Sequence, residues 1–485
     1  MNKDDYLQRI TKLHEEVVFL RRLLIALLVA AVVLFFLGVL TGKTYGSDLQ
    51  LASKHRKGFP ETDWLYLFYI TTETYPEEKR EELFAVVSFM VASSSRQPIV
   101  ERCTPIKVGD TLSYIDLRNL KWDQKTWYDF LLAEYPYGYF EIQGKIGEEI
   151  FTRRVPLVIR ADWLVTVLGD GTESEIHYQL LYGPDNVPKN RDEFLEFWKV
   201  DNDPTHRFGM IEGNSGVAVN EVRWIEFRPI AIPDGFAWGT RDAIDITKDT
   251  DPIENLLGGH KHDAEEWIVS IPKISIRTRE RGHLIAVLLN DDEGSIQQAA
   301  PVNIVEDHSD VRGREIINPV SCYVCHVKGI NEPNTNELQR LLDLGVEAYT
   351  KNKENAEKIE LFHLGSLERT IMRNKENYQL AFEMVSGKTS DIVAPAIAEV
   401  YELYDAKVTR ETAARELGME PDSIKLAIAY YDEHIGGVSG RLAGLSHGAS
   451  MNRTRWEEEF ETAYKARKLW FDSDEWKNHV NEGEQ

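Results

Sequence analysis

Residues 321–326 read Ser-Cys-Tyr-Val-Cys-His, and the last five decide how the chain is read. Two thiols three positions apart, with an imidazole directly after the second, form the pattern that holds a porphyrin covalently. The thiols add to two vinyl groups on one edge of the macrocycle, and the adjoining histidine is seated under the iron. Cys322 and Cys325 are therefore the expected thioether positions, and His326 the expected proximal ligand, of one haem c. Other uses fit less well. A zinc site needs a second Cys or His pair at knuckle spacing, and the sequence has none. A thioredoxin-like dithiol needs a βαβ setting, whereas a proline-containing loop precedes this motif and helical patterning follows it. A Cys322–Cys325 disulfide leaves His326 without a role. The third cysteine, Cys103, reads as a small buried apolar residue, so the chain is no disulfide scaffold.

Working outward, the second decisive stretch is 23–41, LLIALLVAAVVLFFLGVLT, which carries no charge. As a helix it would rise about 28 Å, close to the hydrocarbon thickness of a bilayer. Its length, and the polar residues before it, predict an uncleaved signal anchor rather than a cleaved signal peptide. Arg21 and Arg22 flank it directly and favour a cytoplasmic N-terminus. Covalent haem attachment takes place on the periplasmic-type side of the membrane, so this orientation delivers Cys322 to the right compartment. Tyr6, Ile10, Leu13, Val17, Leu20, Leu24 and Leu27 recur by four and three. That stripe fits either a paired helix, and so a homodimer through residues 6–27, or a single amphipathic helix at the interface.

The remainder divides by pattern. Residues 42–60 are polar and glycine-containing and read as a tether. Pro76 followed by EEKREELFAVVSFMV predicts a helix with acids in its first turn. LSYIDL (112–117) alternates like a strand, and Trp122-Asp123 opens a helical run. WLVTVL (163–168) and VRWIEF (222–227) read as strands, and WIVSI (267–271) with HLIAVLL (283–289) as a strand pair. Beyond the motif, apolar periodicity predicts helices at 335–350, 366–386, 391–404, 409–417, 421–434 and 453–470. The expected fold class is α+β: an N-terminal transmembrane helix, a mixed α/β ectodomain and a C-terminal all-helical haem-c domain. The expected parts are a cytoplasmic amphipathic helix (1–22), a transmembrane signal anchor (23–41), a linker (42–60), an α+β domain (61–300) and a helical cytochrome c-like domain (301–485).

One axial position of the iron is thus assigned and the other open. Met372 and Met384 follow His326 at spacings that small c-type cytochromes use for a ligating methionine, though both sit within expected helices. His262, in GGHKHDAEEW, precedes a strand and could swing over the haem, held by Asp263 or a nearby carboxylate. His260, His363 and His447 are further candidates, ordinarily explained as surface residues.

The run HLIAVLLNDDEGSIQQAAPVNIVEDHSDVRGREIINPVSCYVCH (283–326) resembles a family of largely uncharacterised bacterial membrane-anchored single-haem proteins. Their theme of a strand pair, Pro-x-x-Ile-Val-x-Asp and Ser-Cys-x-x-Cys-His falls here on Pro301, Ile304, Val305, Asp307, Ser321, Cys322, Cys325 and His326. IDLRNLKW (115–122), ADWL (161–164) and His262-Asp263 are also similar, and Ala264-Glu265 departs where relatives tend to carry glycines. The resemblance implies haem c at the cell envelope and adds no reaction.

The chain has a net charge of −24, which argues against nucleic acid or anionic lipid as the main partner. Such acidity suits a basic redox protein, or serves solubility alone. VTRETAARELGMEPDSIKLAI (408–428) imitates a DNA-reading helix pair, but it has about as many acids as bases and reads as packing helices. A single Cys-x-x-Cys-His excludes electron relay between haems of one chain. Two functions remain. One is electron transfer on the periplasmic side of the cytoplasmic membrane. The other is a haem-based sensor, or a ligand-binding or catalytic haem protein, with an open sixth position; the large domain before the motif exceeds what a shuttle needs.

Overall fold

The computed structural model describes residues 46–138, 140–146, 149–155, 158–169, 176–203, 208–213, 222–245, 262–291, 293–297, 299–300, 305–306, 315–331 and 367–476. Strand β1 (Leu67–Thr71) is buried along its whole length. It is an inner strand of a four-stranded sheet in the order β2 (Ile106–Lys107), β3 (Leu112–Asp116), β1, β6 (Val158–Arg160). β3 runs antiparallel to β1 and β6 parallel to it. β4 (Phe140–Ile146) and β5 (Glu149–Val155) form a hairpin of their own. The larger sheet is an antiparallel meander of β7 (Phe208–Gly213), β8 (Val222–Pro229), β9 (Phe236–Asp242), β10 (Ala264–Ile274), β11 (Arg281–Asp291) and β12 (Ile296–Gln297). β10 and β11 are its longest pair, in register from Ala264↔Asp291 to Ile274↔Arg281. Their connecting turn is held by the Glu101 carboxylate, which accepts from the Ser275 hydroxyl and from the Ile276 and Arg277 amides. Burial alone would raise the Glu101 carboxyl, but these donors hold it down to about 2.

The helices follow their sequence logic. α1 (Gly46–Arg56) leads into β1. α2 (Arg80–Ser93) has Glu81 and Glu82 in its first turn and then ten buried residues from Leu83 to Ser93, so it is covered on all sides. α3 (Gln124–Glu134) is capped by Asp123, whose carboxylate accepts from the Thr126 amide. α4 (Ala161–Gly169), α5 (Ile176–Tyr182) and α6 (Arg191–Phe197) come next. Tyr178, Tyr182, Phe194 and Trp198 from the last two helices and their flank cover Trp267, Val269 and Leu288 of the larger sheet. Full burial of one such side chain stabilises by roughly 1.5–3 kcal/mol. α7 (Val320–Cys325) carries the cysteine motif. α8 (Leu367–Ser386) lies along β11, and α9 (Ser390–Asp405) packs with α2 and α4. Then follow α10 (Arg410–Leu417), α11 (Pro421–His434), α12 (Gly440–Ser446) and α13 (Arg453–Asp472).

Residues 48–407 with 452–461 form one compact unit, and 408–451 with 462 onward belong to a second. The first holds both sheets. In the second, α10 ends on Gly418 in the left-handed region, Pro421 opens α11, and Val408 bridges Met451.

The fold class is therefore mixed α/β, which corrects the expected one. No helix among the described residues is long and apolar enough to cross a membrane; the stretches 6–27 and 23–41 lie outside the described residues, as does the helix expected at 335–350. The segment 301–485 is not a separate all-helical domain. β14 (Ile316–Ile317) pairs with β13 (Ala299–Ala300), and α8 and α9 share their unit with the sheets. The reason is that α8 buries Ile371, Tyr378, Ala381, Phe382 and Val385, and its partners include a strand some ninety residues earlier. Its periodicity announces a helix but not what the helix meets. Two local expectations also change. The tether 42–60 becomes α1 from Gly46, with Ala52 fully buried and the Asp48 carboxylate accepting from Thr71 and Thr111. WLVTVL is helix α4 rather than a strand, since a continuous apolar run serves a buried helix as well as a buried strand.

Candidate functional site

The motif lies on a helix of six residues fixed at both ends. Before it, Asn318 is fully buried, and its amide donates to the Tyr178 hydroxyl and to the Val287 carbonyl of β11. The Ser321 hydroxyl accepts from the Ile317 amide. After it, the His326 amide donates to the Cys322 carbonyl at 2.8 Å, so His326 closes the helix. Gly329 then turns in the left-handed region at φ +91°, and a Cβ there would stand 3.1 Å from Tyr378 Cβ of α8. This close approach seats the loop on that helix. Val327 and Ile330 are buried beside it.

These residues fit the group that the spacing implies. On a helix, positions i and i+3 share one face, so Cys322 and Cys325 project side by side. Both carry thiols; Cys322 is buried and Cys325 half-buried. His326 is half-buried and its Nδ1 lies 3.3 Å from the Gly329 carbonyl. A carbonyl only accepts, so Nδ1 carries the proton and Nε2 keeps the lone pair that a metal needs. Among the described residues, no group of three or more His, Cys, Asp and Glu side chains is arranged to hold a metal ion. No family model, curated protein or solved structure matches the chain.

The candidate sixth ligands are distributed unevenly. Met372 is exposed on α8, one turn before Lys375, whose Cα faces Gly329. Met384 is half-buried, six residues beyond Tyr378 on the same helix. His262 is half-buried ahead of β10. The Asp263 carboxylate accepts from the Ile244 amide, and its own amide donates to the Asp242 carbonyl. Ala264 packs with Leu289, Val305 and Ile316, so the start of β10 and the approach to the motif share one cluster. His447 is exposed in the second unit. His260 and His363 lie outside the described residues.

Sequence reasoning missed the residues behind the motif. Tyr323 is fully buried, edge-on to Phe89, and its hydroxyl lies 3.5 Å from Nε2 of His177. Ser94 donates to the Met90 carbonyl and sits 3.0 Å from Nδ1 of His177. That arrangement puts the ring proton on Nδ1 and makes Nε2 the acceptor for Tyr323. Burial pushes the His177 imidazole down to about 4 and the Tyr323 phenol well up, so both are neutral at neutral pH. No local signal marks His177, because 146 residues separate it from Tyr323.

Proposed function

We propose that the chain is a mono-haem c-type cytochrome that takes part in electron transfer on the periplasmic side of the cytoplasmic membrane. Cys322 and Cys325 are the thioether positions and His326 is the proximal iron ligand. The observation that carries this reading is the donor set of α7: two thiols on one helix face, closed by an imidazole whose Nδ1 faces a carbonyl. The haem supplies a one-electron couple when bound. The chain's own residues do the rest. The two cysteines fix one edge of the porphyrin against loss. The Gly329 carbonyl sets the orientation of the His326 ring, and α8 holds Gly329. Tyr323 and Phe89 close the far side of α7 to water. The uncharged run 23–41 supports export to the side where haem is attached, and the acidic chain supports a basic redox protein as partner.

The role is tested by the ferric and ferrous absorption spectra of the haem-loaded full-length chain, with and without carbon monoxide. A low-spin spectrum that carbon monoxide leaves unchanged is the expected result. A high-spin iron that binds carbon monoxide readily overturns the carrier reading in favour of a ligand-binding haem with an open sixth position.

A further inference from the structure

A cavity of about 300 Å³ lies between α8 and the ends of β9 and β11, with Asp234, Phe236, His283, Arg373 and Asn374 among its walls. All of these residues belong to the unit formed mainly by 48–407. Two walls are polar side chains buried almost completely: His283 is 1% exposed and Asn374 is 4% exposed. Among the described residues, Nδ2 of Asn374 has no hydrogen-bond partner, and the His283 ring, which meets the Asp234 backbone at one nitrogen, has no partner for the other. Leaving such groups unbonded costs about 1–3 kcal/mol each, and buried polar groups are rarely left so. Two of them on one cavity wall mark a place where something else supplies the bonds.

The charge around the cavity narrows what that is. Asp234 is met by Arg373 at 3.1 Å and by Arg281 at 3.3 Å. One carboxylate against two guanidiniums leaves one positive charge in excess. Burial pushes the His283 imidazole down to about 4, so it adds no charge at neutral pH and keeps one donor and one acceptor. The free Asn374 Nδ2 is a donor, and the Arg373 guanidinium stands at the rim with its side chain 68% exposed. Phe236 supplies an apolar wall. A single excess charge beside planar donors matches a carboxylate, and a chain of net charge −24 disfavours a dianion. We propose that this cavity binds a small organic monocarboxylate, its carboxylate held between the Asn374 amide and the Arg373 guanidinium and its apolar part against Phe236. The site does not rest on the haem reading, because it takes none of its walls from residues 318–331.

The test is calorimetric titration of the full-length chain with acetate, lactate and benzoate, each paired with its neutral amide. At least one acid is expected to saturate with a Kd below about 5 mM, with its amide at least about tenfold weaker. Arg373→Gln, an exposed substitution that leaves Asp234 paired with Arg281, is expected to weaken that acid about tenfold without lowering the melting temperature. In protein labelled with ¹⁵N-histidine, the His283 ring signals, assigned through His283→Gln, should shift along the same titration. The proposal is overturned if no acid saturates below about 5 mM, if the amide binds as well as its acid, or if Arg373→Gln binds unchanged. The first of these outcomes would leave water as the partner of the two orphaned groups.

Discussion

Helix α8 backs two regions built on opposite principles. Toward the motif loop the packing is closed. Gly329 sits tightly against Lys375 and Tyr378, and Asn318 and Ser321 bond the approach to α7. Beyond the tight contact at Gly282, a cavity opens toward the ends of β9 and β11. It is walled by the buried His283 of β11 and by Asn374, which lies within a turn of Lys375 and Tyr378 and whose Nδ2 has no partner among the described residues. The difference teaches where rigidity is placed. On the proposed haem reading, the two thiols and the imidazole meet one fixed partner, and the segment that carries them is held by close packing. Groups that meet a removable partner are left with capacity unspent.

The largest expected effect strikes both regions at once. A Cβ at Gly282 would stand 2.4 Å from Ala381 Cβ and 2.8 Å from the Asn377 carbonyl, so the strand and the helix touch through that glycine. Gly282→Val should push α8 away from β11 and lower stability by about 3 kcal/mol in urea unfolding. A variant as stable as the parent would show that α8 is not pressed on the strand, and the comparison would fail. Gly329→Ala should act on the motif side alone. Its positive φ and the nearby Tyr378 Cβ predict a loss of about 1–2 kcal/mol. Binding at the cavity should be unaltered, and an equal loss of carboxylate binding would mean that the two regions are not separable.

A smaller effect probes the support behind Tyr323. The buried His177 imidazole is pushed down to about 4, whereas in the unfolded chain it returns to about 6.5. The unfolded state then takes up the proton more readily. The stability that depends on a neutral His177 is whole above about pH 6.5 and is lost as pH falls from there towards 4. His177→Phe should start lower, since Ser94 and Tyr323 lose a partner. It should also lose less than the parent between pH 7 and pH 5 when urea midpoints are compared. Parallel pH curves for the two proteins would contradict a buried neutral imidazole.

What the sequence disclosed follows from how local each feature is. The cysteine motif is five consecutive residues, and its chemistry needs only their spacing. β10, β11 and α2 were legible because long apolar runs bounded by charge, proline or turn residues have few other readings. α1 was hidden because its buried positions, Asp48, Ala52 and Arg56, recur at helical spacing but two of the three are charged. No apolar stripe announced a helix, and the segment read as a tether. α4 failed for the opposite reason, its run from Trp163 to Leu168 being apolar but for Thr166. The cavity was invisible because its walls come from around 235, 283 and 370–377, and only the packing of α8 on β11 brings them together.

The most direct measurement is the intact mass of the denatured full-length chain, produced in a host with working cytochrome-maturation machinery. The chain is expected to carry the added mass of one haem, and this addition to be absent when Cys322 and Cys325 are both replaced by alanine. A parent chain at the mass of the polypeptide alone, from cells that load a control c-type cytochrome, would contradict it.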